Sequence, residues 1–393
     1  MGKKINQLPA APVLLSTDLC IVGNPIDGAM YKVSLKQLRD YLKMLFDPLT
    51  ADITKVSDVY AFGDDFMLAA NISPVRDTYI NRFSTEYNKK LNLFAEKGRG
   101  VWQMINKAYE KIPQVSSNVL TLAMAGLNDI RLAGTNAKTL EKIKHSYRSL
   151  IANQFLKTAV PFSDASVTKT GVWKVSNYPS STVGGKAERL GGKGIASVDI
   201  GDKAVVEFTG TNVVIGYIGS DGSAMHTQGA FKVYIDDVLR GTYQQNDLSD
   251  GVNDGSYDNI LAPACLVFTG LSSGKHTLTV ETTATDSTVF DYVGTLQYPE
   301  DCSPILIGQI PMMTAVGYKA DSPYDKATEA GIAQANAAIV SVVREFTTAG
   351  AYPVVMVPIN KAIQLPADID KDNVHWNSDG HLHVFNAMQV VVR

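Results

Sequence analysis

Cysteine is scarce in this chain: Cys20, Cys265 and Cys302 are the only three in 393 residues. They are far apart and odd in number. This excludes a disulfide framework and a Cys-x-x-Cys metal site, and leaves three small apolar residues of the kind that cores bury. A dominant charge is missing too. The net charge is −3, so no basic field draws nucleic acid or an anionic membrane surface. No run approaches the ~20 apolar residues of a membrane span. A secretory leader is not expected, because Pro9, Pro12 and Asp18 interrupt the stretch after Lys3 and Lys4. An extracellular role then requires another exit, such as cell lysis. No internal repeat of solenoid length is visible. The chain does have 45% hydrophobic content, enough for a sizeable core and more than one domain.

Residues 51–160 alternate apolar runs with helical periodicity. Strands are expected over 59–62, 91–95 and 119–125, and helices over 75–88, 101–111 and 137–159. The run at 119–125 is apolar almost throughout, as parallel strands covered on both faces are. Strand, helix, strand, helix, strand, helix implies a doubly wound parallel sheet. The pattern breaks over 161–302, which is rich in Gly, Ser, Thr and Asp. Short alternating segments at 204–208, 213–217, 231–235, 276–280 and 289–293 predict an all-β sandwich or jelly roll. Over 303–393 the α/β alternation resumes, with strands near 304–310 and 352–359, a helix over 324–347 and a last helix or strand. That second part has too few strands for its own sheet. The order therefore reads as one α/β domain carrying an inserted β domain.

Residues 1–50 form a separate piece. A short strand at 19–22 and a turn at 24–28 lead to Ser34, an N-cap for a helix over 35–45 with Leu35, Leu38, Leu42 and Leu45 on one stripe. The piece is too small to bury that stripe alone, so a partner or a second copy is expected to cover it. Ile5-x-x-Leu8-Pro9, Thr17-Asp18 before the strand and Val33-Ser34-Leu35-x-x-Leu38 resemble the N-terminal attachment segments of tailed-bacteriophage tail and fibre proteins. An ordinary strand–helix hairpin is the alternative. The resemblance implies docking to other virion proteins through residues 1–50, a virion (tail) location and homo-oligomers, with trimers frequent among fibres.

Four separated blocks carry the chemistry: Gly63-Asp64-Asp65, Gly98-Arg99-Gly100, Gly126-Leu127-Asn128-Asp129, and Asp372-Asn373-Val374-His375 with Gly380-His381 behind it. Acyl transfer needs a nucleophile, a base, an orienter for that base and donors for the developing oxyanion. His375 and Asp372, three residues apart, present a base and its orienter from one turn. In order and context the blocks resemble those of the SGNH (GDSL) hydrolases, a three-layer, flavodoxin-like α/β fold. The resemblance implies Gly100 N–H and the Asn128 side chain as oxyanion donors, His375 as base, Asp372 as its orienter, and Asp65 where the family has its serine nucleophile. Asp65 is then expected to fill the oxyanion hole, accepting from Gly100 and Asn128 and pairing with His375, whose pKa it raises. The alternatives are Asp65 or Asp64 acting with His375 as a general-base pair on water, and the two adjacent aspartates holding a divalent cation. No cofactor or metal is expected. Asp64 and Trp376 are the candidate substrate contacts, Trp376 because an aromatic ring at a pocket mouth stacks on sugars. Trp102 and Trp173 read as core or rim residues.

The inserted segment is similar in pattern to the galactose-binding-like jelly rolls appended to carbohydrate enzymes. Within it, the Asp-rich stretch 246–255 reads either as a flexible turn or as a calcium loop that lacks the EF-hand spacing. Three functions are the resulting expectations. The first is a virion protein of the tail or fibre that binds host surface glycan through a degenerate hydrolase domain and its jelly roll. The second is an active carbohydrate O-acetyl esterase, and the third a purely structural spacer.

Overall fold

The computed structural model describes residues 19–23, 30–34, 50–68, 72, 74–111, 118–176, 194–221, 229–249, 261–320 and 322–393. The chain divides into two compact units, 1–49 and 50–393. In the first, Leu19–Gly23 pairs antiparallel with Met30–Ser34. The helix expected over 35–45 and the segment before residue 19 lie outside the described residues.

The second unit begins with the α/β alternation: β1 (Asp58–Gly63), α1 (Tyr79–Glu86), β2 (Lys90–Ala95), α2 (Val101–Lys111), β3 (Val119–Met124), α3 (Leu127–Ala133) and α4 (Ala137–Gln154). After the β insertion come β4 (Ile305–Gly308), α5 (Glu329–Gly350), β5 (Val354–Val357), α6 (Ile359–Ala362) and α7 (Ser378–Val390). The five strands form one parallel sheet in the order β5-β4-β3-β1-β2. Every residue of β3 is buried, because helices cover both faces: α2, α4 and α5 pack as one group, α1, α6 and α7 as the other. Direction reverses between β1 and β3, the point where open α/β sheets hold their sites. Gly63 stands level with Ala95 and Met124, so the loops after these strands emerge at one edge.

Local chemistry explains the helix limits. Asn136 Oδ1 accepts the Thr139 N–H at 2.9 Å to start α4, Thr328 Oγ1 accepts the Gly331 N–H at 3.0 Å to start α5, and Asn377 Oδ1 accepts from Asp379 and Gly380 to start α7. The helix expected over 75–88 is a 3-10 turn, Val75–Asp77, and then α1, because Thr78 between them is extended at φ −66°, ψ 146°. The helix expected over 137–159 stops at Gln154. Leu156–Pro161 is instead a strand that pairs antiparallel with Thr288–Leu296. Thr158 and Val160 suit a strand, and the residue before a proline avoids the α region.

The insertion is a sandwich of two antiparallel sheets. One runs Val238–Gln244, Ala230–Ile235, Lys275–Thr282, Lys203–Thr209, Thr168–Thr170; the other runs Leu261–Phe268, Val213–Ser220, Thr288–Leu296, Gly194–Ser197, Lys174–Ser176, with Leu156–Pro161 also on Thr288–Leu296. Lys203–Thr209 and Lys275–Thr282 alternate buried and open positions, sending Val206, Leu278 and Val280 into a core shared with Phe231 and Phe290. Val213–Ser220 is buried throughout. Its sheet has the sandwich core on one face and α4 on the other: Val214, Cys265 and Tyr292 join the α/β core, and the Cys265 N–H donates to Ser149 Oγ at 3.0 Å. The insertion therefore keeps its own apolar core inside the sandwich and packs the outer face of one sheet on the α/β core. Cys302 is half-buried. Among the described residues no helix is long and apolar enough to cross a membrane.

Candidate active site

β1 delivers its last residues to the reversal point. A Cβ at Gly63 would sit 2.5 Å from the Met124 carbonyl oxygen and 2.7 Å from Met67 Sδ, so only glycine lets β1 turn there. Asp64 then points inward. It is 2% exposed, and its Oδ1 accepts the Phe66 N–H at 3.2 Å. Burial, with Asp65 beside it, pushes the Asp64 carboxyl up to about 8. This corrects the expectation of Asp64 as a substrate contact, since its oxygens lie under the site surface.

Asp65 turns the other way. Its Oδ1 accepts the Gly98 N–H at 2.9 Å, and its Oδ2 lies 4.0 Å from His375 Nε2. On the far side of the imidazole, His375 Nδ1 donates to Asp372 Oδ2 at 2.6 Å. Asp372 Oδ1 accepts the N–H groups of Val374 and His375, each at 3.0 Å, and Asn373 takes the left-handed conformation (φ +65°) that closes the turn. Burial works against the Asp372 carboxylate, but the His375 bond and the two backbone N–H groups outweigh it and hold its pKa below the usual value. For His375, burial likewise opposes the charge. Asp65 and Asp372 outweigh it and raise its pKa above 6.5. The imidazole is thus held between two carboxylates.

The expected oxyanion donors are engaged elsewhere, which corrects the picture of Asp65 filling their hole. Gly100 N–H donates to Gln103 Oε1, and Asn128 Nδ2 donates to the Arg99 carbonyl at 3.0 Å. The reason is the start of α2, whose first N–H groups need acceptors. Gln103 stands at the third helical position and reaches back to the cap N–H, one half of a capping box. The Val101 N–H goes to Asp129 Oδ2 at 2.9 Å, and Asp129 Oδ1 meets Lys142 Nζ at 3.0 Å in a fully buried ion pair. Gly100 is required here because a Cβ would sit 2.8 Å from Asp129 Oδ1. Gln103 and Lys142 lie outside the four expected blocks, and Gly98, inside one of them, has no expected role. The glutamine three residues after Gly100 is a legible signal; Lys142 carries none.

Trp376 is fully buried, which corrects its reading as a sugar platform. Its indole packs edge-on against Phe66 at 4.8 Å, Tyr79 at 5.9 Å and His381 at 5.6 Å between ring centroids. Its neighbour His375 is the residue that reaches the surface, with Phe66 beside its ring. His381 Nδ1 accepts the Tyr79 N–H at 3.3 Å, and burial lowers its pKa to about 4, so it stays neutral.

No family profile and no curated protein matches the sequence. Among solved structures, the chain is similar to a two-domain esterase (CEX) active on acetylated mannans and co-crystallised with mannopentaose, at 10% identity over 67% of this chain and 95% of that one, TM-score 0.31. It is also similar to the CBM36-1 domain of a multidomain xylanase from the hindgut metagenome of Trinervitermes trinervoides, at 18% identity over 35% of this chain and 94% of that one, TM-score 0.23. A family 35 carbohydrate binding module from Clostridium thermocellum aligns at 10% identity over 35% of this chain and 97% of that one, TM-score 0.24.

Among the described residues no group of three or more His, Cys, Asp or Glu side chains is placed to hold a metal ion. Asp64 and Asp65 diverge rather than converge. In the stretch 246–255, residues 250–255 lie outside the described residues. Asp247 accepts from the Tyr217 hydroxyl and lies 3.2 Å from His145 Nδ1, at the seam of sandwich and α4. Trp173 donates its Nε1 to the Thr170 and Lys203 carbonyls, and Trp102 packs on Leu248 and Ala262.

Proposed function

We propose that this chain is a carbohydrate-directed protein on an esterase-type α/β scaffold, and that its site binds glycan without transferring an acyl group. One observation carries the reading: Asp65 stands in the nucleophile position, tied to the Gly98 N–H and facing His375 Nε2 at 4.0 Å. A carboxylate attacks carbonyls poorly and yields a labile mixed anhydride. It also brings negative charge where a tetrahedral oxyanion needs donors. His375, its pKa raised between two carboxylates, is biased toward the protonated form, whereas a general base needs a free lone pair. Gln103 engages the Gly100 N–H. Nucleophile, base and one donor are all compromised together. The inserted sandwich, similar in sequence pattern to sugar-binding jelly rolls, supplies the second glycan surface in this proposal. A glycan array probed with the whole chain tests it: retention of a defined polysaccharide supports the reading, and no retention of any glycan removes it.

A second reading has its own observation. The Asp372–His375 bond is kept at 2.6 Å, the arrangement that orients a catalytic base. In a carbohydrate O-acetyl esterase built on it, water between Asp65 and His375 would be the nucleophile. Acetate release from acetylated polysaccharide that disappears in His375→Ala supports this reading over the first.

The setting we propose is the virion of a tailed phage, in the tail or fibre, with residues 1–50 docking to other virion proteins in a homo-oligomer. The support is the sequence pattern within residues 5–38. Mass spectrometry of purified particles tests it.

A further inference from the structure

The turn that carries Asp372 and His375 is gripped by a second segment, residues 309–320 after β4. Because β4 runs parallel to β1 and β3, this segment leaves the sheet at the edge where those strands end. Its first residues are fixed. Asn336 of α5 accepts the Ile310 N–H at 2.7 Å and donates back to the Ile310 carbonyl at 3.0 Å. Asn360, in α6, accepts the Met312 N–H at 2.9 Å and donates to the Ile310 carbonyl at 2.9 Å. Two residues further on, Thr314 reaches the turn.

Thr314 Oγ1 donates to the Asn373 carbonyl oxygen at 3.1 Å, with Asn373 Oδ1 at 3.2 Å, and accepts the Gly317 N–H at 3.1 Å. A hydroxyl has one proton to give and lone pairs to receive with, and this one uses both. The Thr314 N–H reaches the same carbonyl only at 3.4 Å, so the hydroxyl is the main hold. Gly317 makes the approach possible, because a Cβ there would collide with the Asn373 oxygen.

The grip controls the peptide between Asn373 and Val374. A trans peptide is planar, so its carbonyl and its N–H point in opposite directions. With the Asn373 oxygen on Thr314, the Val374 N–H faces the other way and donates to Asp372 Oδ1 at 3.0 Å. The second oxygen of that carboxylate takes the His375 Nδ1–H at 2.6 Å. We infer that Thr314 is a positioning residue for the site: by holding the Asn373 carbonyl it sets the Val374 N–H on Asp372, and through Asp372 it fixes the His375 imidazole opposite Asp65. The inference goes beyond the choice of ligand, since the glycan and esterase readings both rest on where that imidazole stands.

Imidazole NMR titration of the whole chain, without ligand, tests it in wild type, Thr314→Val, Thr314→Ser and Gly317→Ala. Asp65 and Asp372 are the carboxylates that face the imidazole. Without the Thr314 hydroxyl, Asp372 loses the fixed N–H that orients it. The His375 value in Thr314→Val is therefore expected to fall from its raised position toward about 6.5. Thr314→Ser keeps the hydroxyl and is expected to titrate as wild type does. Gly317→Ala sets a methyl against the same carbonyl and is expected to lower the value as Thr314→Val does. A merely structural role would lower the Tm of these variants and leave the His375 value of the folded protein unchanged. An unchanged value in Thr314→Val overturns the inference. So does a value lowered as much in Thr314→Ser, which would assign the effect to packing, and so does Gly317→Ala titrating like wild type. The titration needs no ligand. A wild type that retains no glycan removes the glycan reading without touching this result, and a failed titration leaves that reading standing.

Discussion

Asp65 Oδ2 and His375 Nε2 face each other at 4.0 Å, with the opposite edge of the same imidazole bonded to Asp372 at 2.6 Å. The two carboxylates thereby favour the charged form of the histidine, and this makes a pH-dependent contribution to stability. Its folded pKa is raised, so its stabilising contribution is complete below the unfolded value and fades as pH rises through the folded one. Asp372 is lowered; its contribution is present above the unfolded carboxylate value and is lost as pH falls through the folded one. Imidazole NMR titration should find His375 above the ordinary histidine value of about 6.5. Asp65→Asn should bring it down and flatten the loss of Tm on the alkaline side.

Lys142 and Asp129 form a buried ion pair that also anchors the Val101 N–H at the start of α2. Removing the cation alone leaves a buried carboxylate with the Val101 N–H but no countercharge. Lys142→Met is expected to cost about 3–5 kcal/mol in urea unfolding. The double variant with Asp129→Asn should cost less than the sum of the single changes, because the stranded charge goes with its partner.

Trp376 lies at the centre of a ring cluster with Phe66, Tyr79 and His381. Trp376→Ala is expected to destabilise by about 3–5 kcal/mol through the cavity it leaves. Trp376→Phe keeps most of the apolar volume and should leave glycan retention at the wild-type level. Lost retention with an unchanged Tm would mean that the indole contacts sugar after all.

Much of this architecture is legible in the residues themselves. The apolar run ending in Gly63, the near-continuous run at 119–125 and the three-residue spacing of Asp372 and His375 each have a local cause, and each appears in the structure. The features that are not legible depend on distant partners. Phe155 and Leu156 continue the apolar period of α4, yet the strand Thr288–Leu296 claims the chain from Leu156 onward. Gly100 and Asn128 have the donors that an oxyanion needs, but the N-terminus of α2 and the Arg99 carbonyl take up their surroundings first. Trp376 is adjacent to a surface histidine in sequence and points away from it, into the core.

In the proposed reading, Asp65 and Gln103 block acyl transfer at this site. Acetate release from an acetylated polysaccharide measures this directly, with wild type, Asp65→Ser, and Asp65→Ser combined with Gln103→Ala, which frees the Gly100 N–H. The account predicts wild type at the level of the protein-free blank and measurable release by Asp65→Ser. The combined variant should release about tenfold more, within the roughly 10²–10³ that a single oxyanion donor contributes. Wild-type release that vanishes in His375→Ala would contradict the account.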